Sequence, residues 1–288
     1  MKIKNWLYAT RPKTLTAGIC PVILGLLLAY QQTTLTPIYA IITLLCALLI
    51  QIGTNFANDY FDHKKGGDTD KRIGPTRVIQ AGLITPKHMK IAMIIAFSTA
   101  FILGLTLVYH GGLSILAIGI CAILFGILYT GSSFSLAYTG TADIFVLIFF
   151  GPVAVAGTTY IQTLSWTIEP IIIGTGIGLI STALLAVNNT RDYDEDKTTN
   201  KKTFVVRFGK TSGKWQYTLC LLGAIFILIT QTPHSMLHTL IKSLVILITL
   251  ILIKKMWTFS DHELNKLLAL TGSFISIYTI FTLLLYAI

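Results

Sequence analysis

Nine runs of apolar residues, separated by shorter polar stretches, make up most of the chain. Each run is near the ~20 residues that an α-helix needs to cross the hydrocarbon core of a bilayer. Proline stands at the edge of several runs, where it starts or stops a helix. The pattern predicts an all-α membrane protein with nine transmembrane helices, at approximately 14–31, 37–57, 88–109, 112–130, 141–160, 169–189, 215–231, 236–254 and 264–287.

The composition supports this prediction. Of the 288 residues, 53% are hydrophobic and only 12% are charged, whereas soluble domains carry about 25% charged residues. The first run is not followed by a small-residue cleavage site, so we interpret it as a retained span rather than as a signal peptide. We therefore expect residues 1–288 to form a single polytopic domain.

Lysine and arginine are distributed very unevenly between the loops. Of the 22 such residues, 21 precede the first span or follow spans two, six and eight, and only Lys242 falls elsewhere. With nine spans, these four regions share one side, so the positive-inside rule predicts a cytoplasmic N-terminus and an outside C-terminus. The net charge of +10 is then a topology signal in a cytoplasmic membrane, with the lipid bilayer as partner and no nucleic acid.

Two acidic clusters interrupt this apolar chain, in the predicted cytoplasmic loops 58–87 and 190–214. Together they hold 8 of the 12 Asp and Glu residues. Asp59 and Asp192 begin corresponding parts of the two clusters, with four predicted spans between them. We interpret the chain as two four-helix pseudo-repeats plus a ninth helix, related by an axis along the membrane normal that brings the clusters face to face.

In each cluster an asparagine and two aspartates recur three or four residues apart, which places them on one face of a helix. Carboxylates this close repel one another, and at a helix C-terminus they also oppose the macrodipole. A bound cation reverses both effects, and a set of oxygen ligands favours Mg²⁺. The predicted cofactor is Mg²⁺, and the predicted metal ligands are Asn55, Asp59, Asp62, Asn188, Asp192 and Asp196.

Mg²⁺ is usually held by one or two carboxylates together with substrate phosphates. Two apposed clusters can therefore hold two Mg²⁺ ions bridged by a diphosphate, and basic residues in the same loops can neutralise the remaining phosphate charge. The predicted catalytic residues are Asp59, Asp62, Asp192 and Asp196. The predicted substrate-binding residues are Arg72, Arg77, Arg191, Lys202, Asn58 and Tyr129.

Other interpretations stay open at this point. The clusters can be solvated turns, although such turns have no need for the same spacing twice. A transporter also carries repeats and charged sites, but usually near the midplane of the membrane. A CDP-alcohol phosphotransferase joins its acids in one Asp-Gly-x-x-Ala-Arg run, which this chain lacks. Asp143 either faces an acceptor substrate, relays a proton, or begins a helix, where the dipole favours an acid.

The motifs resemble those of the UbiA superfamily of intramembrane aromatic prenyltransferases. Asn55-x-x-Asn58-Asp59-x-x-Asp62 is similar to the first aspartate motif of that superfamily, and Asp192-x-x-x-Asp196 to the second. Within it, further segments resemble the branch that prenylates 1,4-dihydroxy-2-naphthoate, and the resemblance covers about residues 5–210. These segments begin at Trp6, Gly74, Tyr129, Phe149 and Asn188.

The resemblance implies a Mg²⁺-dependent enzyme whose substrates are an isoprenyl diphosphate and an aromatic acceptor. For this branch the acceptor is 1,4-dihydroxy-2-naphthoate, which loses its carboxylate and gives demethylmenaquinone. Many 4-hydroxybenzoate enzymes carry a basic pair after the fourth helix, whereas residues 129–141 contain no charged side chain. This departure argues against 4-hydroxybenzoate. Homogentisate remains an alternative acceptor.

Overall fold

The structure is a computed structural model that describes residues 2–66, 74, 77–131, 135–199, 201–232, 235–260 and 262–287. Within these ranges the regular structure is entirely helical. The helices are α1 (Ile3–Thr10), α2 (Pro12–Tyr30), α3 (Pro37–Lys64), α4 (Pro86–Gly111), α5 (Leu113–Leu128), α6 (Leu136–Thr139), α7 (Ala142–Phe149), α8 (Pro152–Thr163), α9 (Ile168–Arg191), α10 (Tyr193–Thr198), α11 (Phe204–Phe208), α12 (Lys210–Gln231), α13 (Met236–Thr258) and α14 (Leu264–Ala287).

Each of the nine predicted apolar runs coincides with helix, but not all the helices are long spans. In the described chain, seven helical segments are long and apolar enough to cross a membrane, with α7 and α8 counted as one segment. The bent pair α1 and α2 raises this number to eight. The remaining run forms α5, which has only 16 residues. The prediction of an all-helical membrane fold is confirmed, whereas nine full-length spans stay a prediction.

The fifth predicted span is broken between α7 and α8. A Cβ atom at Gly151 would lie 2.6 Å from the carbonyl oxygens of Leu147 and Gly174, so only glycine fits this close approach to α9. Pro152 then begins α8 at a position where its missing N–H costs nothing. The break lets α7 and α8 pack closely against α9, the helix that ends at the second acidic cluster.

Helix packing agrees with the predicted internal repeat. The most extensive contacts join α3 to α4 and α9 to α12. In the numbering of spans, these are the second and third helices of the first unit and the corresponding helices of the second. The first acidic cluster ends α3 and the second ends α9, so the two clusters occupy equivalent places.

The four motif aspartates lie on helices or next to a helix end, whereas the sequence analysis placed them in the loops 58–87 and 190–214. Helix α3 continues through Asp59 and Asp62 to Lys64, and α9 continues to Arg191. The short helix α10 follows at once and carries Asp196. Helical geometry therefore persists through Asp59, Asp62 and Asp196, and Asp192 is the one residue between α9 and α10.

Candidate active site

The first acidic pair lies in the last two turns of α3 and is bridged by Arg77. Asp59 and Asp62 are 2% and 1% exposed, which is possible for carboxylates only when they are paired. Arg77 Nη1 donates to Asp59 Oδ1 at 2.9 Å, and Arg77 Nη2 donates to Asp62 Oδ2 at 2.8 Å. One guanidinium thus joins both acids of the first motif.

A second arginine reaches Asp59 from the bend between α1 and α2. Arg11 has a left-handed backbone, with φ 50°, and its Nη2 donates to Asp59 Oδ1 at 2.8 Å. Asn55 supports the bend, because its Nδ2 donates to Thr10 O at 2.8 Å and to Thr14 Oγ1 at 3.1 Å. The predicted ligand Asn55 therefore also positions the arginine that covers Asp59.

The second acidic cluster is organised by Arg191, which is only 1% exposed. Its Nε and Nη2 donate to the two carboxylate oxygens of Asp192, both at 2.7 Å. Nη2 also donates to Asn188 Oδ1 at 2.9 Å, and Nη1 donates to Asn265 Oδ1 at 3.0 Å. These contacts indicate that Arg191 positions Asp192 and Asn188. The sequence analysis had instead predicted that the Arg191 side chain binds the substrate.

Lys201 connects the two clusters. Its Nζ lies 3.6 Å from Asp62 Oδ2 and 3.7 Å from Asp196 Oδ1. The prediction named Lys202, but that residue is exposed, and its backbone N–H donates to Tyr138 O at 3.2 Å. The lysine placed between the clusters is the preceding residue, Lys201, whose backbone N–H also donates to Asp196 O at 3.0 Å.

Three further predicted residues complete the comparison with the sequence. Asn58 is buried, and its Oδ1 accepts from Thr130 Oγ1 at 3.0 Å, which ties α3 to the end of α5. Tyr129 lines the cavity described below. Arg72 lies outside the described residues.

Lys65 is a residue that the sequence analysis missed. Its Nζ donates to Thr130 O at 2.6 Å and to Ser135 Oγ at 3.2 Å, and it lies 4.2 Å from the centre of the Tyr138 ring. Partial desolvation of the ammonium beside these groups lowers the pKa of Lys65, although the side chain as a whole is exposed. Asn265 was missed as well, although a polar residue at the start of an apolar run is a visible signal.

A cavity of about 440 Å³ extends from the acidic clusters into the helix bundle. Its polar end is lined by Arg11, Asp62, Arg77, Asp192, Asp196 and Lys201. Its walls are mostly apolar and include aromatic residues of α5 and α7, whose apolar surfaces suit a hydrophobic chain or ring. The described cavity wall does not include Asp59, because the guanidinium groups of Arg11 and Arg77 cover this carboxylate.

The donor set fits Mg²⁺ that is completed by a phosphate ligand. Among the described residues, no group of three His, Cys, Asp or Glu side chains lies close enough to hold a metal alone. Each cluster instead offers two carboxylates, and Asp62 Oδ1 is buried without a hydrogen-bond partner in the described chain. One or two carboxylates with substrate phosphates form the usual Mg²⁺ site, so this arrangement matches that pattern.

Relatives of known function resemble this chain over most of its length. It is 37% identical over 260 residues to a 1,4-dihydroxy-2-naphthoate octaprenyltransferase of Escherichia coli, covering 88% of this chain and 84% of that protein. It is 34% identical over 232 residues to the enzyme of the same name from Mycobacterium tuberculosis, covering 80% of this chain and 79% of the relative.

Solved structures agree with the fold. A UbiA homologue from Archaeoglobus fulgidus bound to GPP and Mg²⁺ superposes with a TM-score of 0.69 at 15% identity, covering 99% of this chain and all of that one. The apo structure of a UbiA homologue from Aeropyrum pernix gives 0.71 at 11% identity, covering 93% and 96% of the two chains. The model of the UbiA prenyltransferase family matches residues 18–284, which confirms the resemblance of the motifs: the chain belongs to the UbiA prenyltransferase family.

Proposed function

We propose that this protein transfers a polyprenyl group from an isoprenyl diphosphate to 1,4-dihydroxy-2-naphthoate, with loss of carboxylate, to give demethylmenaquinone. The observation that carries the proposal is that one cavity of the described chain has two acidic clusters and several cations at one end and mostly apolar walls beyond. The relatives named 1,4-dihydroxy-2-naphthoate octaprenyltransferase support the choice of acceptor.

The polar end of the cavity binds the diphosphate. The carboxylates of the two clusters and the amide oxygens of Asn55 and Asn188 would hold Mg²⁺, which would supply positive charge to stabilise the departing diphosphate. Arg11, Arg77 and Lys201 contribute further cations there, because their side chains line that end of the cavity. Guanidinium groups suit this role, since they bind phosphate oxygens in a bidentate manner.

Arginine side chains contact the carboxylates that would hold the metal. Arg11 and Arg77 donate to Asp59 Oδ1 at 2.8 and 2.9 Å. A diphosphate at this end of the cavity would therefore meet guanidinium groups beside the residues that would hold Mg²⁺. The pairing of these acids with arginines also avoids uncompensated buried charge.

The apolar part of the cavity holds the hydrocarbon chain and the acceptor ring. Its walls exclude water, which would otherwise capture the electrophilic allylic carbon. Tyr129 stands on the wall below the acids and can stabilise positive charge through its ring. Asn58 fixes the end of α5, where Tyr129 lies, through its hydrogen bond with Thr130.

The proposed topology has nine spans in two four-helix units plus α14, with the acidic clusters on the cytoplasmic side of the inner membrane. The uneven distribution of lysine and arginine supports this orientation. The equivalent packing of α3 with α4 and of α9 with α12 supports the two units.

The proposed reaction is tested with purified protein in detergent or vesicles. The assay offers 1,4-dihydroxy-2-naphthoate with isoprenyl diphosphates of several lengths, in Mg²⁺ or in EDTA, and measures the prenylated product. We expect turnover only with Mg²⁺, and a higher kcat/KM for dihydroxynaphthoate than for 4-hydroxybenzoate or homogentisate. A higher kcat/KM for either competitor would overturn the proposed acceptor.

A further inference from the structure

Asp143 is a carboxylate on the wall of the cavity that the proposed diphosphate site does not use. It lies in the first turn of α7, away from the two aspartate motifs. Gln216 of α12 donates from Nε2 to Asp143 Oδ1 at 2.8 Å. The other oxygen, Oδ2, is buried and has no hydrogen-bond partner in the described chain.

A favourable position at a helix start does not explain this arrangement. The macrodipole of α7 favours an acid in its first turn, but a solvated acid satisfies that preference equally well. Here a second helix supplies a glutamine that orients the carboxylate, and one oxygen is left buried without a donor. Buried carboxylate oxygens are costly without hydrogen bonds, so this oxygen calls for a donor from a bound molecule.

The fold brings Asp143 to the same end of the bundle as the acidic clusters. The segment before α7 packs on the turn after α10, because the N–H of Lys202 donates to Tyr138 O at 3.2 Å and Arg207 Nη2 donates to Thr139 O at 2.7 Å. Gly140 permits the contact, since a Cβ atom there would lie 2.6 Å from Lys202 O. Asp143 therefore lies close in the chain to a segment that contacts Lys202 and Arg207, which follow the second acidic cluster.

The surroundings of Asp143 suit an aromatic ring. Phe145 and Phe149 line the same cavity from α7, together with Phe125 from α5. The ring centre of Phe125 lies 4.3 Å from that of Phe145 and 5.2 Å from that of Phe149. A planar ring can pack against these side chains while it presents a polar edge to the carboxylate.

We propose that Asp143 is an acceptor-binding residue, whose Oδ2 accepts a hydrogen bond from a ring hydroxyl of the aromatic acceptor. The inference rests on the proposed function for the identity of that acceptor. In 1,4-dihydroxy-2-naphthoate the 1-hydroxyl lies beside the carboxylate and bonds to it internally, whereas the 4-hydroxyl is free to donate. The 4-hydroxyl is therefore the partner of Asp143, and Gln216 is a positioning residue that holds the carboxylate in place.

The test compares two acceptors on three proteins. The acceptors are 1,4-dihydroxy-2-naphthoate and 1-hydroxy-2-naphthoate, which lacks only the 4-hydroxyl. The proteins are the unaltered chain, Asp143→Asn, and the control Thr158→Val, which alters a polar group elsewhere on the cavity wall. Acceptor affinity is measured from the fluorescence of the naphthoate in the absence of isoprenyl diphosphate. Turnover and the thermal midpoint are measured separately.

We expect the unaltered protein and Thr158→Val to bind the dihydroxy compound more tightly than the monohydroxy one. The preference should be roughly ten- to a hundredfold, as for a hydrogen bond to a charged group. Asp143→Asn should lose most of this preference, because the amide nitrogen that replaces Oδ2 cannot accept the hydroxyl proton and offers only a weaker, uncharged hydrogen bond to the hydroxyl oxygen. Its affinity for 1-hydroxy-2-naphthoate should change little.

Two results would overturn the inference: an unchanged preference in Asp143→Asn, or an equal loss of affinity for both acceptors. The latter result, with a lowered thermal midpoint, would assign Asp143 to folding alone. Turnover of dihydroxynaphthoate by the unaltered protein reports on the proposed function separately. If turnover is absent while the binding preference depends on Asp143, the proposed function fails and the assignment of Asp143 stands.

Discussion

Replacing Arg77 by methionine should destabilise the metal-free protein and make its stability depend strongly on Mg²⁺. Arg77 donates to Asp59 and Asp62 at 2.9 and 2.8 Å, and all three side chains are less than a tenth exposed. Removing one partner of a buried ion pair costs about 3–5 kcal/mol, because the remaining charge is left without compensation.

Other contacts of the two aspartates place the expected loss of stability near the lower end of this range. Arg11 still pairs with Asp59, and Lys201 Nζ remains 3.6 Å from Asp62. We therefore expect a loss of about 3 kcal/mol in EDTA, which corresponds to a fall of roughly 6–12 °C in the thermal midpoint. Mg²⁺ should restore much of it, since a ligand at a hundred times its Kd contributes about 2.7 kcal/mol.

Thermal unfolding in detergent, in EDTA and across a Mg²⁺ titration, measures both effects. Arg207→Met is the matched control, because Arg207 is exposed and its hydrogen bonds go to the backbone carbonyls of Lys202 and Thr139. That variant should show a small change that does not depend on Mg²⁺. The reasoning is refuted if Arg77→Met is as stable as the unaltered protein in EDTA, or if Mg²⁺ stabilises neither of them.

Two further predictions concern the lysines and the topology. Lys201→Gln should lower Mg²⁺-dependent turnover at least tenfold, because the Lys201 ammonium lies within 4 Å of Asp62 and Asp196. The control Lys202→Gln should keep its turnover within twofold of the unaltered protein. Similar turnover in the two variants would show that Lys201 is not part of the site. Reporter domains fused after residues 200 and 288 should report cytoplasm and outside, and a cytoplasmic reporter at 288 would contradict the nine-span topology.

The sequence predicted the helices well but not where they bend. The apolar runs located every long helix, because a helix that faces lipid and a helix that packs inside the protein both need apolar side chains. The break between α7 and α8 follows from Gly151 and its approach to α9, which depends on a contact distant in the chain. The bend at Arg11 depends likewise on the hydrogen bonds from Asn55 to Thr10 and Thr14.

Within the site, the spacing located the acids but not their partners. The expected repulsion among the carboxylates is offset by three arginines. Arg11 and Arg77 reach the first cluster from other parts of the chain, and Arg191 is adjacent to Asp192 in the sequence. Replacing Asp59 by Asn is therefore expected to lower the stability of the protein in EDTA, although relief of the carboxylate repulsion, taken alone, would raise it slightly. Similarly, the spacing of the motifs does not distinguish Lys201 from Lys202, because only the folded chain shows which ammonium lies between Asp62 and Asp196.

The central claim is that both acidic clusters act on one diphosphate through Mg²⁺, and turnover of Asp59→Asn and Asp192→Asn against Mg²⁺ concentration tests it most directly. Each variant should lose about 10²–10³ in kcat, by analogy with the loss of one electrostatic contact to a developing charge. Asp194→Asn is the control, because Asp194 is 68% exposed and pairs only at the surface with Lys210. Near-normal turnover of either cluster variant, with an unchanged requirement for Mg²⁺, would contradict the account.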